Sequence, residues 1–221
     1  MTRVLAIADE VDARLYTQRV NELRADLVLA CGDLPFDYLE YVVTMTNVPL
    51  LFVPGNHDPD LRAHADDVRP ADFTSPLWFQ RWSEEPPGPA GCRNLDGRVV
   101  DEAGLRVAGL GGSIRYKPGP NQYTQSQMTR RALQLEVRCR CRTLRDGRGL
   151  DVLITHAPPL GVGDGDDQPH RGFAAFHRLV EGLSPRFVVH GHVHPYGRVV
   201  PTISMDGTEV HNVVGHRVLE L

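Results

Sequence analysis

Side chains that bind metal ions follow several short apolar runs of the sequence. Asp9 directly follows the apolar residues 4–8, and Asp33 lies two residues after the apolar run 27–31. Carboxylates and imidazoles suit Mn, Fe, Zn or Ni, while an amide oxygen and a shared carboxylate suit two hard cations close together. Mixed oxygen and nitrogen ligands indicate a catalytic rather than a purely structural metal site. The candidate ligands are Asp9, Asp33, Asn56, His156, His192 and His194.

The elements that carry the first of these residues alternate between strand and helix. Continuous apolar runs such as residues 4–8 and 27–31 are typical of strands buried on both faces. A helical pattern separates them at residues 12–24, and a second helix is expected between Pro35 and a strand at 50–53. This alternation predicts an α/β fold with a largely parallel sheet, whose ligand sites lie beyond the carboxyl ends of the strands.

The second half of the chain also mixes strands and helices. Between Asp58 and Cys92 the Pro-rich sequence predicts a long excursion with little regular structure that shapes access to the site. The strands fall into two batches, which predicts two sheets packed face to face with helices outside. The expected elements are a hairpin at 98–110, helices at 124–145 and 173–183, strands at 150–155 and 187–190, and a hairpin around Asp206-Gly207.

Five phrases occur along the chain in a specific order. They are Ala8-Asp9-Glu10, Cys31-Gly32-Asp33, Pro54-Gly55-Asn56-His57-Asp58, Ile154-Thr155-His156-Ala157-Pro158 and His190-Gly191-His192-Val193-His194. Gly-Asp alone carries no signal, but Gly-Asn-His-Asp and Gly-His-x-His after apolar strands are specific. In this order the phrases resemble the calcineurin-like metallophosphoesterase superfamily, and the resemblance extends from residue 9 to residue 194.

This resemblance implies a fold and a reaction. The fold would be one domain over residues 1–221, a four-layer α/β/β/α sandwich of two mixed sheets flanked by helices. A metal-activated hydroxide would attack phosphorus in line with the leaving group. His57 would contact the phosphate and stabilise or protonate the leaving oxygen.

The resemblance also divides the ligands between two metals. Asp33 would bridge the two ions. The first metal would be held by Asp9 and His194, and the second by Asn56, His156 and His192.

The chain departs from the family pattern at Val11. The first motif of the family is usually Asp-x-His, whose histidine binds the first metal, and this chain has valine there. Three outcomes are open: a weaker first site completed by water, a substitute ligand from among Glu10, Asp12 and His170, or a one-metal enzyme. We therefore expect one or two divalent ions, with Mn favoured and Fe, Zn, Ni or Mg as alternatives.

Further stretches resemble a subgroup of small prokaryotic members of the superfamily that lack this histidine. They are residues 111–116, 122–124, 163–165 and 169–173. Gly- and Pro-punctuated loops of this kind are expected to reach the rim of the site, although an ordinary polar loop is the alternative. The candidate substrate contacts are Arg115, Tyr116, Tyr123, His170 and Arg171.

The candidate site residues each have a structural interpretation as well. Asp9, Asp33 and Asn56 precede helical segments and could act as helix caps. A single histidine could belong to the core or the surface, and His57 could be a structural loop residue. The ordered array favours ligation for the six ligands and catalysis for His57.

Composition and charge narrow the class of partner. The 221 residues carry a formal net charge of −4, which gives no overall attraction to nucleic acid or an anionic membrane. The four cysteines are too few for a disulfide framework, and no apolar run reaches the roughly 18 to 20 residues of a membrane helix. These features predict reduced thiols and a cytoplasmic protein.

The Arg-rich residues 130–148 could form a surface that binds nucleic acid. Glu136 and Asp146 interrupt the run of arginines and favour a solvated helix face instead.

The sequence therefore predicts metal-dependent hydrolysis of a small-molecule phosphoester. A phosphodiester of nucleotide type is favoured by the range of the family and the compact chain. The alternatives are a nuclease of the same superfamily and a catalytically weak, metal-binding interaction protein. The natural substrate and the oligomeric state stay open.

Overall fold

A computed structural model describes residues 1–61, 88–197 and 201–221. Most of the predicted excursion between Asp58 and Cys92 lies outside the described residues. The elements in chain order are β1 (Arg3–Ala8), a 3-10 helix (Ala13–Tyr16), α1 (Arg19–Glu22), β2 (Leu27–Ala30), α2 (Phe36–Thr46), β3 (Leu50–Phe52), β4 (Cys92–Asn94), β5 (Val99–Glu102), β6 (Leu105–Leu110), β7 (Ser113–Ile114), β8 (Gln122–Tyr123), α3 (Gln125–Asp146), β9 (Val152–Thr155), α4 (Ala175–Leu183), β10 (Phe187–His190), β11 (Ile203–Met205), β12 (Thr208–Asn212) and β13 (Gly215–Glu220).

The strands form two large mixed sheets. The first sheet has the order β13-β1-β2-β3-β4, in which β1 to β4 are parallel and β13 is antiparallel to β1. The second has the order β11-β12-β10-β9-β6-β5, with four parallel central strands and an antiparallel strand at each edge. A short parallel pair, β7 and β8, lies apart from both.

Three apolar clusters separate four layers. Because successive side chains of a strand point to opposite faces, Ala6 of β1 packs between the sheets while Ile7 packs with the residues of α2. On the second sheet, Ile154 faces the space between the sheets and Leu153 packs against α3 and α4. The structure thus confirms the predicted α/β/β/α sandwich of two mixed sheets flanked by helices.

Some local features differ from the sequence prediction. The helix expected at residues 12–24 is divided at Thr17, which is extended. Its hydroxyl accepts a hydrogen bond from the Arg19 N–H and donates one to the Arg14 carbonyl, and such local bonding competes with a continuous helix. The short strands β4, β7 and β8 were not predicted. The terminal strand β13 was not predicted either, although its six residues pair along the whole of β1.

Among the helices of residues 1–61, 88–197 and 201–221, none combines the length and the apolar character that a membrane crossing requires.

Candidate metal centre

The carboxyl ends of the two sheets bring four ligand-type side chains together. Asp9 follows β1, Asp33 follows β2, His156 follows β9 and His192 follows β10. One ligand atom from each of these residues lies within 4.8 Å of all the others. The geometry therefore forms a candidate site for a metal ion at the junction of the sheets.

His156 is held in one tautomer by the backbone. Its ring is fully buried, and Nδ1 lies 2.7 Å from the carbonyl oxygen of Cys31. Because a carbonyl can only accept, Nδ1 carries the proton and Nε2 presents its lone pair. That lone pair faces two other acceptors, Asp33 Oδ2 at 3.3 Å and Asn56 Oδ1 at 3.0 Å. Acceptors that face one another in this way require either a cation between them or a proton on one of them.

His192 is oriented by a second backbone carbonyl. Its Nε2 lies 2.8 Å from the oxygen of Pro169, so Nε2 carries the proton and Nδ1 is left as the ligand atom. The backbone N–H of His192 donates to Asp9 Oδ2 at 2.8 Å. His192 thus connects the end of β10 to the end of β1, and it also offers an imidazole lone pair to a metal ion.

The charges of the cluster also favour a cation. Burial raises the pKa of Asp9 to about 6. Burial also opposes ionisation of Asp33, but the neighbouring His156 and the His57 N–H outweigh it and leave the pKa of Asp33 below its ordinary value.

Burial disfavours the charged form of His156 as well, yet the two carboxylates raise its pKa to about 9. Burial and His156 lower the pKa of His192 to about 3, so this imidazole is neutral. A neutral imidazole beside carboxylates fits a divalent ion.

The backbone at these residues is unusual. Asp9, Asp33 and His192 have φ values of 58°, 57° and 68°. Non-glycine residues in the left-handed region are uncommon and cluster at functional sites. Two motif glycines allow close approach, since a Cβ on Gly55 would collide with Asp33 Oδ1 and one on Gly191 with Asp9 Oδ2.

Asp58 supports the site and was not assigned a role from the sequence. Its Oδ2 accepts hydrogen bonds from Gly55 N at 2.7 Å and from Asp33 N at 3.1 Å. The carboxylate thereby ties the loop after β2 to the loop after β3. The signal was available, because Asp58 is the last residue of the Gly-Asn-His-Asp phrase.

His194 lies outside the four-residue cluster. Its Nδ1 is 2.9 Å from Glu10 Oε1. Among the possible substitutes for the missing histidine, Asp12 is bound by Arg14 Nη2 and by His216 Nδ1, each at 2.6 Å. His170 Nδ1 is 2.7 Å from Asp167. Glu10 is therefore the substitute that contacts a predicted ligand of the first metal.

His57 is exposed at the edge of the centre. Its backbone N–H donates to Asp33 Oδ1 at 2.8 Å, which places the residue directly beside the cluster. A side chain in this position can reach a group bound at the centre.

Two of the five candidate substrate contacts lie against the ligands. The Tyr116 hydroxyl is 3.4 Å from Asn56 Nδ2, and the ring centroid of His170 is 5.2 Å from that of His192. Residues 115–119 line a cavity of about 490 Å³ on this side.

The other three candidates are placed differently. Tyr123 is 9% exposed and its ring lies 4.2 Å from the guanidinium of Arg131. Arg115 donates to Gln122 O at 3.3 Å and to Gln127 Oε1 at 3.1 Å, and Arg171 is exposed. Their contact with substrate stays a prediction.

Solved structures resemble this fold. One crystal structure covers 98% of the chain and 94% of its own length, with a TM-score of 0.63 and 16% identity. The crystal structure of TT1561 of Thermus thermophilus covers 97% and 89%, with a TM-score of 0.59 and 16% identity. At this identity the likeness concerns the fold alone.

Sequence comparisons give the family. An uncharacterized protein of Haemophilus influenzae (strain ATCC 51907 / DSM 11121 / KW20 / Rd) is 29% identical over 162 residues, which cover 65% of this chain and 61% of that protein. The family model for calcineurin-like phosphoesterases matches residues 4–196, the range that contains all six candidate ligands and His57. The chain therefore belongs to the calcineurin-like phosphoesterase family.

Proposed function

We propose that this chain hydrolyses a phosphodiester of nucleotide type with divalent cations bound by Asp9, Asp33, Asn56, His156, His192 and His194. The observation that carries the proposal is the convergence of four ligand atoms within 4.8 Å at the junction of the sheets. Three oxygen ligands beside the imidazoles suit Mn. When bound, such cations polarise a phosphoryl oxygen and lower the pKa of water.

The residues of the chain provide the fixed geometry. Carbonyl groups of Cys31 and Pro169 hold His156 and His192 in single tautomers, which preorganises the ligands before substrate arrives. His57 lies beside Asp33 with an exposed side chain and is our proposed proton donor to the leaving oxygen.

Glu10 is our proposed replacement for the histidine absent at position 11. Its carboxylate contacts His194, whereas Asp12 is engaged by Arg14 and His216. With an exposed carboxylate in place of an imidazole, the first metal position would bind its ion more weakly than the second and would prefer a harder ion.

The substrate class is proposed from the cavity beside Tyr116. Arg115 and Lys117 line it with positive charge, and the Lys117 ammonium lies 5.2 Å from the Tyr116 ring centroid. An aromatic ring with neighbouring cations can hold a planar base and a phosphate. The same groups suit a diester better than a bulky duplex, because the cavity is only about 490 Å³.

A panel of substrates tests this proposal. Mn-loaded protein should hydrolyse bis(p-nitrophenyl) phosphate and small cyclic nucleotides faster than p-nitrophenyl phosphate. Preference for the monoester would reject the diester assignment, and cleavage of single-stranded DNA above all small diesters would favour the nuclease. If the Asn56→Ala, His57→Ala double variant matches wild-type turnover on every compound, the measured hydrolysis does not come from this centre. That result would support the alternative of a metal-binding interaction protein.

A further inference from the structure

Helix α3 carries an apolar stripe on its outer surface. Leu133, Val137 and Leu144 are 40%, 59% and 87% exposed, and Cys141 between them is exposed as well. At 3.6 residues per turn these four positions lie within a strip about 80° wide. We call these four residues the α3 stripe.

Packing of α3 onto the sheet does not use the α3 stripe. Another face of the helix carries Met128, Ala132 and Leu135, which are at most 1% exposed and belong to the cluster beneath the helix. Contiguous apolar residues left on the surface commonly mark an interaction site. No side chain among residues 1–61, 88–197 and 201–221 buries the stripe.

A groove runs beside the α3 stripe. It has a volume of about 520 Å³ and lies between α3 and β5. Its apolar lining comes from Val99 and Val100 on the strand and from Val137 and Cys141 on the helix. A stripe with an adjoining groove is the arrangement that receives the apolar face of an amphipathic helix.

The rim of the groove is basic. Arg138 and Arg142 line it, and Arg145 continues the same side of the helix. Arg98 lines it as well. Asp101 pairs with Arg142 at 3.1 Å and with the buried Arg106, and Asp146 also pairs with Arg106, so the two nearby carboxylates are shared among more arginines than they can neutralise. A second copy of the chain would bring arginines against arginines, and nucleic acid would leave the leucines in contact with water. Charge complementarity thus favours an acidic protein partner.

We propose that the α3 stripe and its groove dock an acidic amphipathic helix of another protein. The stripe ends at Leu144, near Arg148. The Arg148 carbonyl oxygen accepts a hydrogen bond from the guanidinium of Arg106, which lies at the start of β6. This edge is opposite the carboxyl ends of β6 and β9. None of the four stripe residues is a proposed ligand or substrate contact, so docking can be tested separately from the proposed hydrolysis.

Cys141 provides a direct probe of this surface. Cys31 and Cys139 are buried, and burial raises the pKa of Cys139 to about 11 and that of Cys92 to about 12. A thiol reagent near neutral pH should therefore modify Cys141 selectively.

The test uses a synthetic 18-residue helical peptide with leucine at every third or fourth position and glutamate elsewhere. We expect this peptide to slow Cys141 modification at least tenfold at saturation. Binding, measured by fluorescence anisotropy of the labelled peptide, should weaken at least tenfold in Val137→Glu and in Leu144→Glu. Thr44→Glu adds the same charge to an exposed position of α2, which packs on the other sheet, and should leave binding unchanged. Thermal melts and diester hydrolysis should be unchanged in all three variants.

Several results would overturn the proposal. Equal binding of a peptide with lysine in place of glutamate would exclude an acidic partner. Slow modification of Cys141 in the free protein would show that the chain itself covers the stripe. Stronger protection by single-stranded DNA would assign the helix to nucleic acid, and protection that grows with protein concentration alone would assign it to a second copy.

Discussion

His194 Nδ1 lies 2.9 Å from the carboxylate of Glu10, a residue 184 positions earlier in the chain. This contact joins the Gly-His-x-His loop of the second sheet to the loop after β1. It also places a carboxylate against His194, a proposed ligand of the first metal. We therefore expect the number of metals held by the site to depend on Glu10.

Variants of Glu10 and Asp12 show which of the two carboxylates replaces the missing histidine as a ligand. We expect Glu10→Gln to weaken binding of the second Mn equivalent by about 10- to 100-fold, because a contact that orients or supplies a ligand is lost. Asp12→Ala should leave both affinities unchanged and lower the free energy of unfolding by about 1 kcal/mol, since the Asp12 side chain caps the 3-10 helix. Isothermal titration with MnCl₂ measures the affinities. Unchanged binding in Glu10→Gln would mean that Glu10 is not a ligand.

The close approach at Gly55 gives a second prediction. A methyl group there would collide with the Asp33 carboxylate, so Gly55→Ala should cost about 1–3 kcal/mol of stability and displace a proposed bridging ligand. Gly149→Ala is the matched control, because no atom lies within 4 Å of its Cβ position. Urea unfolding and metal content should both change in the first variant only. A Gly55→Ala protein that keeps wild-type metal content would show that Asp33 tolerates the shift.

Arg106 connects stability to pH. Its side chain is 1% exposed and its hydrogen bonds hold the pKa of Asp101 and of Asp146 below the ordinary value. Both carboxylates are charged above about pH 4, so their pairing with Arg106 is fully present at neutral pH and is lost as pH falls through the lowered pKa values.

Urea unfolding in the presence of a chelator tests this pairing. We expect Arg106→Met to reduce the free energy of unfolding by about 2 kcal/mol at pH 7, and the deficit should shrink below about pH 4. Diester hydrolysis at pH 7 should be retained, because Arg106 lies at the opposite strand ends. A deficit that is the same at pH 7 and pH 3 would show that packing, rather than the ion pairs, accounts for it.

Tyr116 tests the proposed substrate cavity. Tyr116→Phe removes the hydroxyl that lies 3.4 Å from Asn56 Nδ2 but keeps the ring, whereas Tyr116→Ala removes both. We expect KM for a nucleotide diester to rise about tenfold in Tyr116→Ala and little in Tyr116→Phe, since base stacking contributes about 1–3 kcal/mol. The KM for bis(p-nitrophenyl) phosphate in both variants is the comparison. Equal KM values for wild type and Tyr116→Ala on the nucleotide would remove Tyr116 from the substrate site.

The sequence predicted the fold where local patterns are strong. Apolar runs such as residues 187–190 and the turn at Asp206-Gly207 gave the strands of the second sheet, because burial on both faces and a glycine turn leave local signals. Strand β13 has mixed polar and apolar residues, and its pairing with β1 joins the two ends of the chain. Such long-range pairing has no local signature.

The site was predicted to a similar extent. Motif order identified the four side chains that meet at the sheet junction, and their role as ligands stays a prediction. The carbonyls of Cys31 and Pro169 could not be predicted, since every residue has a carbonyl and only the fold selects which one faces a histidine. The choice of Glu10 over Asp12 likewise depended on the positions of Arg14 and His216.

The most direct test measures metal content and diester hydrolysis on the same samples. Chelator-stripped protein is titrated with MnCl₂, and bound Mn and turnover of bis(p-nitrophenyl) phosphate are followed together in wild type and in His156→Ala. We predict that activity rises with bound Mn in the wild type and that His156→Ala loses both. Wild-type protein that binds Mn at this centre but shows no turnover above the variant would contradict a metal-dependent phosphoesterase.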